Sequence, residues 1–191
     1  QIDAIVAWAA AGSPLDVDPT TPVTSTRATS VTIRNDVELA AGESYVGPAE
    51  VENDYHCFVI EHPVAETSWI TGYQFVPDQT ELAHHALAFR VTPDEQAEIR
   101  ALDAAAPGVG WTCNAAMNYP GQFLTWAPGQ DPTQLPHDTA VRIDPEDLVV
   151  VQIHYHHDGP VPPDRSSLRL QLTNDGTGLT EIQYAQLLAP A

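Results

Sequence analysis

The histidines of this chain are the residues whose type and spacing most directly suggest chemistry. Eight occur among 191 residues. Five of them fall in two groups, the adjacent pair His84 and His85 and the run containing His154, His156 and His157. Both groups lie in apolar segments typical of β-strands, so we expect partly buried imidazoles. A buried imidazole needs partners for its ring nitrogens, and a metal ion shared by several imidazoles is one such partner.

Strand geometry restricts how these histidines could share one ion. Side chains alternate between the two faces of a strand, so His154 and His156 share a face, whereas His84 and His85 would point to opposite faces. A site that uses both neighbours needs a bulge, a strand end, or ligation through the ring nitrogen nearer the backbone. Ligation by imidazoles without a thiolate suits copper, zinc, iron or nickel. Separate core histidines, each with its own partners, are the alternative.

Most of the chain shows the two-residue period of β-strands. Eight or nine short strands separated by turn residues predict an all-β, antiparallel, jelly-roll-like β-sandwich. The predicted strands are a first region from about Ser30 that includes Val31, Ile33, Val37 and Leu39, followed by Tyr55 to Ile60, Trp69 to Val76, Leu82 to Val91, Gln122 to Trp126, Ala140 to Ile143, Leu148 to His156, Leu168 to Thr173 and Leu179 to Leu188.

Two segments predict helices. The stretch from Gln1 to Ala10 has the helical apolar stripe and is followed by a glycine and a proline that stop a helix. Thr92 is placed to cap a second, inserted helix, with a proline at its first position and acids in its first turn. We therefore expect residues 1–27 to form a helix and a linker rich in proline, threonine and aspartate, and residues 28–191 to form the β domain.

Charge and composition exclude several function classes. Seven basic and 26 acidic residues give a net charge of −19, which disfavours nucleic acid and anionic membrane surfaces as partners. No apolar run is long enough to predict membrane insertion. The first residue is not methionine, and no signal pattern is present, so we expect the chain to be cut from a longer protein.

The spacing of the two cysteines allows two interpretations. Cys57 and Cys113 are separated by 56 residues, and neither belongs to a C-x-x-C motif. They could form one disulfide in an oxidising compartment, or they could be two inert buried thiols.

Short segments of the β region occur in an order that points to a family. They are Tyr55 to Ile60, Ile70 to Pro77, His84 to Phe89, Cys113, Thr125 to Gly129, Leu135 with Pro136, and Val151 to His156. Their sequences and order resemble the N-terminal copper domain of the type II copper, ascorbate-dependent monooxygenases, the family of dopamine β-monooxygenase and peptidylglycine α-hydroxylating monooxygenase. The resemblance spans roughly Tyr55 to Leu172.

The resemblance implies a specific site. The family's first copper would be held by His84, His85 and His154, in a jelly-roll-like β-sandwich. Cys57 and Cys113 would form one disulfide of the domain, and the family's other cysteines in this domain are missing, as in bacterial relatives. His156 and His157 match no family ligand, so we expect them to be solvated or to support the ligands.

The resemblance also implies a function and partners. In this family ascorbate or another donor reduces both coppers, the first copper stores one electron, and a copper in a second domain activates O₂ to hydroxylate a C–H bond. That second copper uses two histidines and a methionine. This chain has one methionine, Met117, so we expect the second domain to lie outside it and the fragment alone to bind copper without hydroxylating a substrate.

Further expectations follow from the same resemblance. We expect an extracytoplasmic location, either periplasmic or secreted. The N-terminal helix resembles the end of a cytochrome-c-like segment, without a haem motif.

Since ligation needs neutral imidazoles, we expect copper affinity to fall as the pH drops through the histidine range near 6.5. The alternatives are a cupin-like mononuclear metal enzyme using the His154-Tyr155-His156 pattern and a non-catalytic copper-binding β-sandwich.

Overall fold

A computed structural model describes residues 2–15, 18, 20, 30–113 and 121–184, and its contacts divide the chain into two units, Gln1–Ser30 and Val31–Ala191. The first unit contains helix α1 (Ile2–Ala10), which confirms the predicted N-terminal helix. Every residue of α1 is exposed. Gly12, in a left-handed conformation, follows the helix, and the Trp8 indole donates a hydrogen bond to the carbonyl of Pro14. Most of the predicted linker lies outside the described residues.

The second unit is built from two β-sheets, which confirms the predicted β-sandwich. One sheet has the strand order β1-β10-β3-β8-β11, with β7 also pairing with β3, and the other has the order β5-β2-β9-β4-β6. The strands of the described residues are β1 (Val37–Ala40), β2 (Asn53–Ile60), β3 (Ser68–Val76), β4 (Ala83–Val91), β5 (Trp111–Thr112), β6 (Gln122–Trp126), β7 (Thr133–Gln134), β8 (Thr139–Ile143), β9 (Leu148–His156), β10 (Ser167–Thr173) and β11 (Thr180–Glu181).

The predicted strands differ from the observed ones mainly at the two ends of the unit. Residues 31–35 are irregular, and the first strand begins only at Val37. The last predicted strand is reduced to β11, which pairs in parallel with β8, and residues 185–191 lie outside the described residues. The short strands β5 and β7 were not predicted because two residues are too few to show a period.

The main core lies between the sheets. Alternate side chains of the central strand β9, from Val149 to Tyr155, point into it and are almost completely buried. They meet aromatic residues such as Phe75 and Trp126, whose ring centroids lie 4.9 Å apart. Because both neighbours of β9 are long strands, its position and register are fixed on both sides.

A second, smaller cluster lies on the outer face of the second sheet, beneath helix α2 (Gln96–Ala105). A single turn of 3-10 helix, Pro93–Glu95, precedes α2, and the Glu95 carboxylate accepts hydrogen bonds from the backbone N–H and hydroxyl of Thr92. Ile99 is fully buried against Phe89 and Leu148. The predicted inserted helix is confirmed, and it covers one end of this face. No helix among the described residues is long and apolar enough to span a membrane.

The two cysteines form a disulfide, with their Cα atoms 5.9 Å apart. Cys57 lies on β2, and Cys113 directly follows β5, where its backbone N–H donates to the carbonyl of Tyr55. Gly110 allows this approach, because it adopts φ +70° and any β-carbon there would collide with the carbonyl oxygen of Cys57. The disulfide therefore attaches the edge strand β5 to the sheet that carries the histidines.

Loss of this disulfide should destabilise the domain substantially. The bond closes a loop of 56 residues, for which the chain-entropy relation gives about 4 kcal/mol. We expect a Cys57→Ser/Cys113→Ser double variant to lose stability on that scale in urea unfolding. The unmodified protein should show no reactive thiols when it is unfolded in denaturant without a reductant. Two reactive thiols would contradict the disulfide.

Candidate metal centre

The three histidines implied by the resemblance meet on the outer face of the second sheet. Along β9 the side chains on this face are Leu148, Val150, Gln152, His154 and His156. The first two are covered by α2 and its cluster. His154 lies beyond that covered region, where β4 and β2 flank β9 with His85 and Tyr55 as its direct partners.

A β-bulge brings the adjacent pair to the same face. In the ladder between β4 and β9, Ala83 pairs with Tyr155 and His85 pairs with His154, so His84 is an extra residue without a partner in the ladder. Without the bulge, strand alternation would send one of the two imidazoles into the core. With it, His84 and His85 both approach His154.

Each histidine turns the same ring nitrogen, Nδ1, toward a neighbour in the cluster, with His85 in contact with both others. The Nδ1 atoms of His84 and His85 are 3.3 Å apart, and the Nδ1 atoms of His85 and His154 are 3.2 Å apart. One ligand atom from each of the three residues lies within 4.8 Å of the other two. Of the three arrangements that would let both neighbours share a site, the structure has the bulge, and it also turns the nearer ring nitrogens, Nδ1, toward one another.

The surroundings hold the rings firmly on one side and leave them open on the other. His154 is buried, His85 is half-buried and His84 is exposed. The ring of Tyr55 stacks on His154 at 4.1 Å and meets His85 edge-on at 6.1 Å. A ligand can thus approach from the side of His84, while His154 is fixed in the middle of the sheet.

The remaining histidines lie outside this cluster. His156 is exposed on the same face, and its Nδ1 lies 3.1 Å from the side-chain oxygen of Asn53. The Nε2 atom of His154 lies 3.0 Å from the same oxygen. His157 is buried and donates its backbone N–H to the carbonyl of Glu52. Sequence reasoning missed Asn53, because a lone asparagine at a strand start carries no pattern.

Electrostatics favour the neutral form of the buried His154. The pKa of His154 is lowered to about 4, mainly because the side chain is buried. Electrostatic repulsion from His85, His84 and His156 lowers it further. Burial and His84 also lower the pKa of His85. At these two residues we therefore expect protons to compete with a metal only at a more acidic pH than at an ordinary imidazole. The fall of copper affinity with falling pH stays a prediction.

This arrangement fits a copper ion. Nδ1 of His85 lies within 3.3 Å of Nδ1 of both other histidines, so one cation could be shared by the three imidazoles. The cluster consists of imidazoles only, with no thiolate or carboxylate, a donor set that suits copper as well as zinc, iron or nickel.

Comparison with known protein families agrees with this geometry. Residues 41–160, more than half of the chain, match the family described as copper type II ascorbate-dependent monooxygenase, N-terminal domain. The chain belongs to this family. The matched range contains both strands of the histidine cluster and both cysteines of the disulfide, so the resemblance seen in the sequence is confirmed. A comparison with curated proteins finds no match.

The lowered pKa of His154 in this copper monooxygenase domain should be directly measurable. In the metal-free protein we expect its imidazole to titrate at about pH 4 in an NMR titration. The folded state binds this proton less readily than the unfolded chain, so stability should decline as the pH falls from about 6.5 to about 4.

A His85→Ala variant provides the control, because it removes one repelling neighbour and should raise the pKa of His154. An unshifted midpoint near 6.5 in the unmodified protein would contradict the assigned burial and charge effects.

Proposed function

We propose that this domain binds one copper ion through the Nδ1 atoms of His84, His85 and His154 and delivers electrons to a second copper domain that hydroxylates C–H bonds. The observation that carries the proposal is the convergence of three Nδ1 atoms across a bulge. When bound, copper would supply a one-electron couple between Cu(II) and Cu(I).

The protein's own contribution is a rigid set of neutral donors. His154 is fixed by strand pairing on both sides and by the Tyr55 ring, and its low pKa keeps its lone pair free for a metal. Such a site can hold both oxidation states with little rearrangement, which favours fast electron transfer. The exposed His84 would be the side from which electrons enter and leave.

The partners proposed for this role follow from the family. They are a second copper domain of the same longer chain, and ascorbate or another small reductant. The disulfide supports an extracytoplasmic location, either periplasmic or secreted. We also propose residues 28–191 as the copper domain, with residues 1–27 as a separate helix and linker. A relation of that helix to a cytochrome-c-like segment stays a prediction.

The cupin-like alternative has less support. It requires His154 and His156 to turn ring nitrogens toward one ion, whereas His154 Nε2 and His156 Nδ1 both face the oxygen of Asn53. A non-catalytic copper-binding sandwich would use the same three histidines, and the presence or absence of a second copper domain in the full-length gene distinguishes it from our proposal.

Removal of any one of the three proposed ligands should abolish tight copper binding. We expect one Cu(II) per chain, and we expect His84→Ala, His85→Ala and His154→Ala each to weaken binding by more than the roughly 10- to 100-fold typical of changes around a ligand. Competition with a chelator of known affinity measures this loss.

The matched control is His156→Ala, which lies on the same face outside the cluster and should change the affinity by less than about 10-fold. Retained binding in His84→Ala together with lost binding in His156→Ala would replace our site with the cupin-like one.

The bound copper should cycle without turnover. Anaerobic ascorbate should remove the Cu(II) paramagnetic resonance signal, and air should restore it, because the site holds both oxidation states. No hydroxylated product is expected from this domain alone. A copper signal that resists reduction, or hydroxylation by the isolated domain, would contradict the electron-delivery role.

A further inference from the structure

Asn53 lies at the edge of the histidine cluster, outside the set of proposed ligands. It is the first residue of β2 and is paired in register with His156 on β9, one step from the pair formed by Tyr55 and His154. Its side-chain oxygen is 3.0 Å from Nε2 of His154 and 3.1 Å from Nδ1 of His156. One amide oxygen therefore contacts two imidazoles.

An amide oxygen accepts hydrogen bonds and donates none, so both ring nitrogens that contact it must carry hydrogen. A neutral imidazole has one N–H, and its other nitrogen then holds a lone pair. Hydrogen on Nε2 of His154 leaves the lone pair on Nδ1, the atom that faces His85 at 3.2 Å. Hydrogen on Nδ1 of His156 prevents that nitrogen from acting as a ligand.

We infer that Asn53 is a positioning residue that selects the metal-binding tautomer of His154 and withholds Nδ1 of His156 from the metal. This inference rests on the proposed copper-binding function. It also accounts for a feature that the ligands alone leave unexplained: His156 shares the face with His154, and its ring lies 6.0 Å from that of His84, yet it stays outside the cluster.

The metal-free protein gives the first test. At about pH 8, where imidazoles of ordinary pKa are neutral, long-range ¹H–¹⁵N NMR should show His154 with hydrogen on Nε2 and His156 with hydrogen on Nδ1. In Asn53→Ala both residues should lose this fixed assignment and populate mixed tautomers. The inference is overturned if either residue holds the opposite tautomer in the unmodified protein, or if Asn53→Ala changes neither.

Copper affinity gives the second test, with two matched variants. Asn53→Ala should weaken Cu(II) binding by roughly 10- to 100-fold, the usual effect of removing a hydrogen-bond partner of a metal ligand. Asn53→Asp keeps an acceptor oxygen in place, so it should retain affinity within about 10-fold. Its negative charge should also lower the Cu(II)/Cu(I) reduction potential, since it stabilises the more highly charged ion.

Glu52→Gln is the control for a change of charge nearby. Glu52 precedes Asn53, and its side chain is exposed with only a 4.0 Å approach to His156, so this variant should leave the tautomers and the affinity unchanged. A purely structural role of Asn53 would give weak binding in both Asn53 variants, with unaltered tautomers and a lower unfolding temperature. That result would overturn the inference.

The two proposals fail in different ways. If the unmodified protein does not bind copper, or His84→Ala binds it normally, the proposed function is wrong whatever the Asn53 variants do. If the unmodified protein binds copper and His84→Ala does not, but Asn53→Ala binds as tightly as the unmodified protein, the positioning role alone is wrong.

Discussion

The site depends on the bulge at His84, which is an extra residue in the pairing of β4 with β9. Two consecutive residues of a regular strand cannot turn their side chains to one face, and the bulge removes that restriction. Because the ladder resumes with His85 opposite His154, the bulge also sets the distance between the two strands' imidazoles. The convergence of the three imidazoles is therefore a property of strand register rather than of loop conformation.

The rest of the second sheet supports that register. β9 lies between β2 and β4, so Tyr55 and Asn53 approach His154 from one side while the paired histidines approach from the other. Further along the same face, the amide of Gln152 lies 3.4 Å from the sulfur of Cys113, and Ile99 of α2 covers the far end. Disulfide, helix and cluster thus occupy consecutive parts of one face, and His84 and His156 are exposed at the histidine end.

Much of this could be predicted from the sequence because its signals are local. The two-residue period identified the long strands, and β6 and β9 have the predicted bounds. The histidine pair also predicts that a shared site needs a bulge, a strand end or the nearer ring nitrogen. What could not be predicted depends on contacts between distant segments: the location of the bulge, the pairing of Asn53 with His156, and the burial that lowers the pKa of His154.

The most direct test of the central claim is a crystal structure of the copper-loaded domain with anomalous diffraction measured at the copper absorption edge. Our account predicts one copper peak per chain, bounded by the Nδ1 atoms of His84, His85 and His154, with the amide of Asn53 against the opposite nitrogen of His154. A peak between His154 and His156, or ligation through the Nε2 atoms, would contradict it.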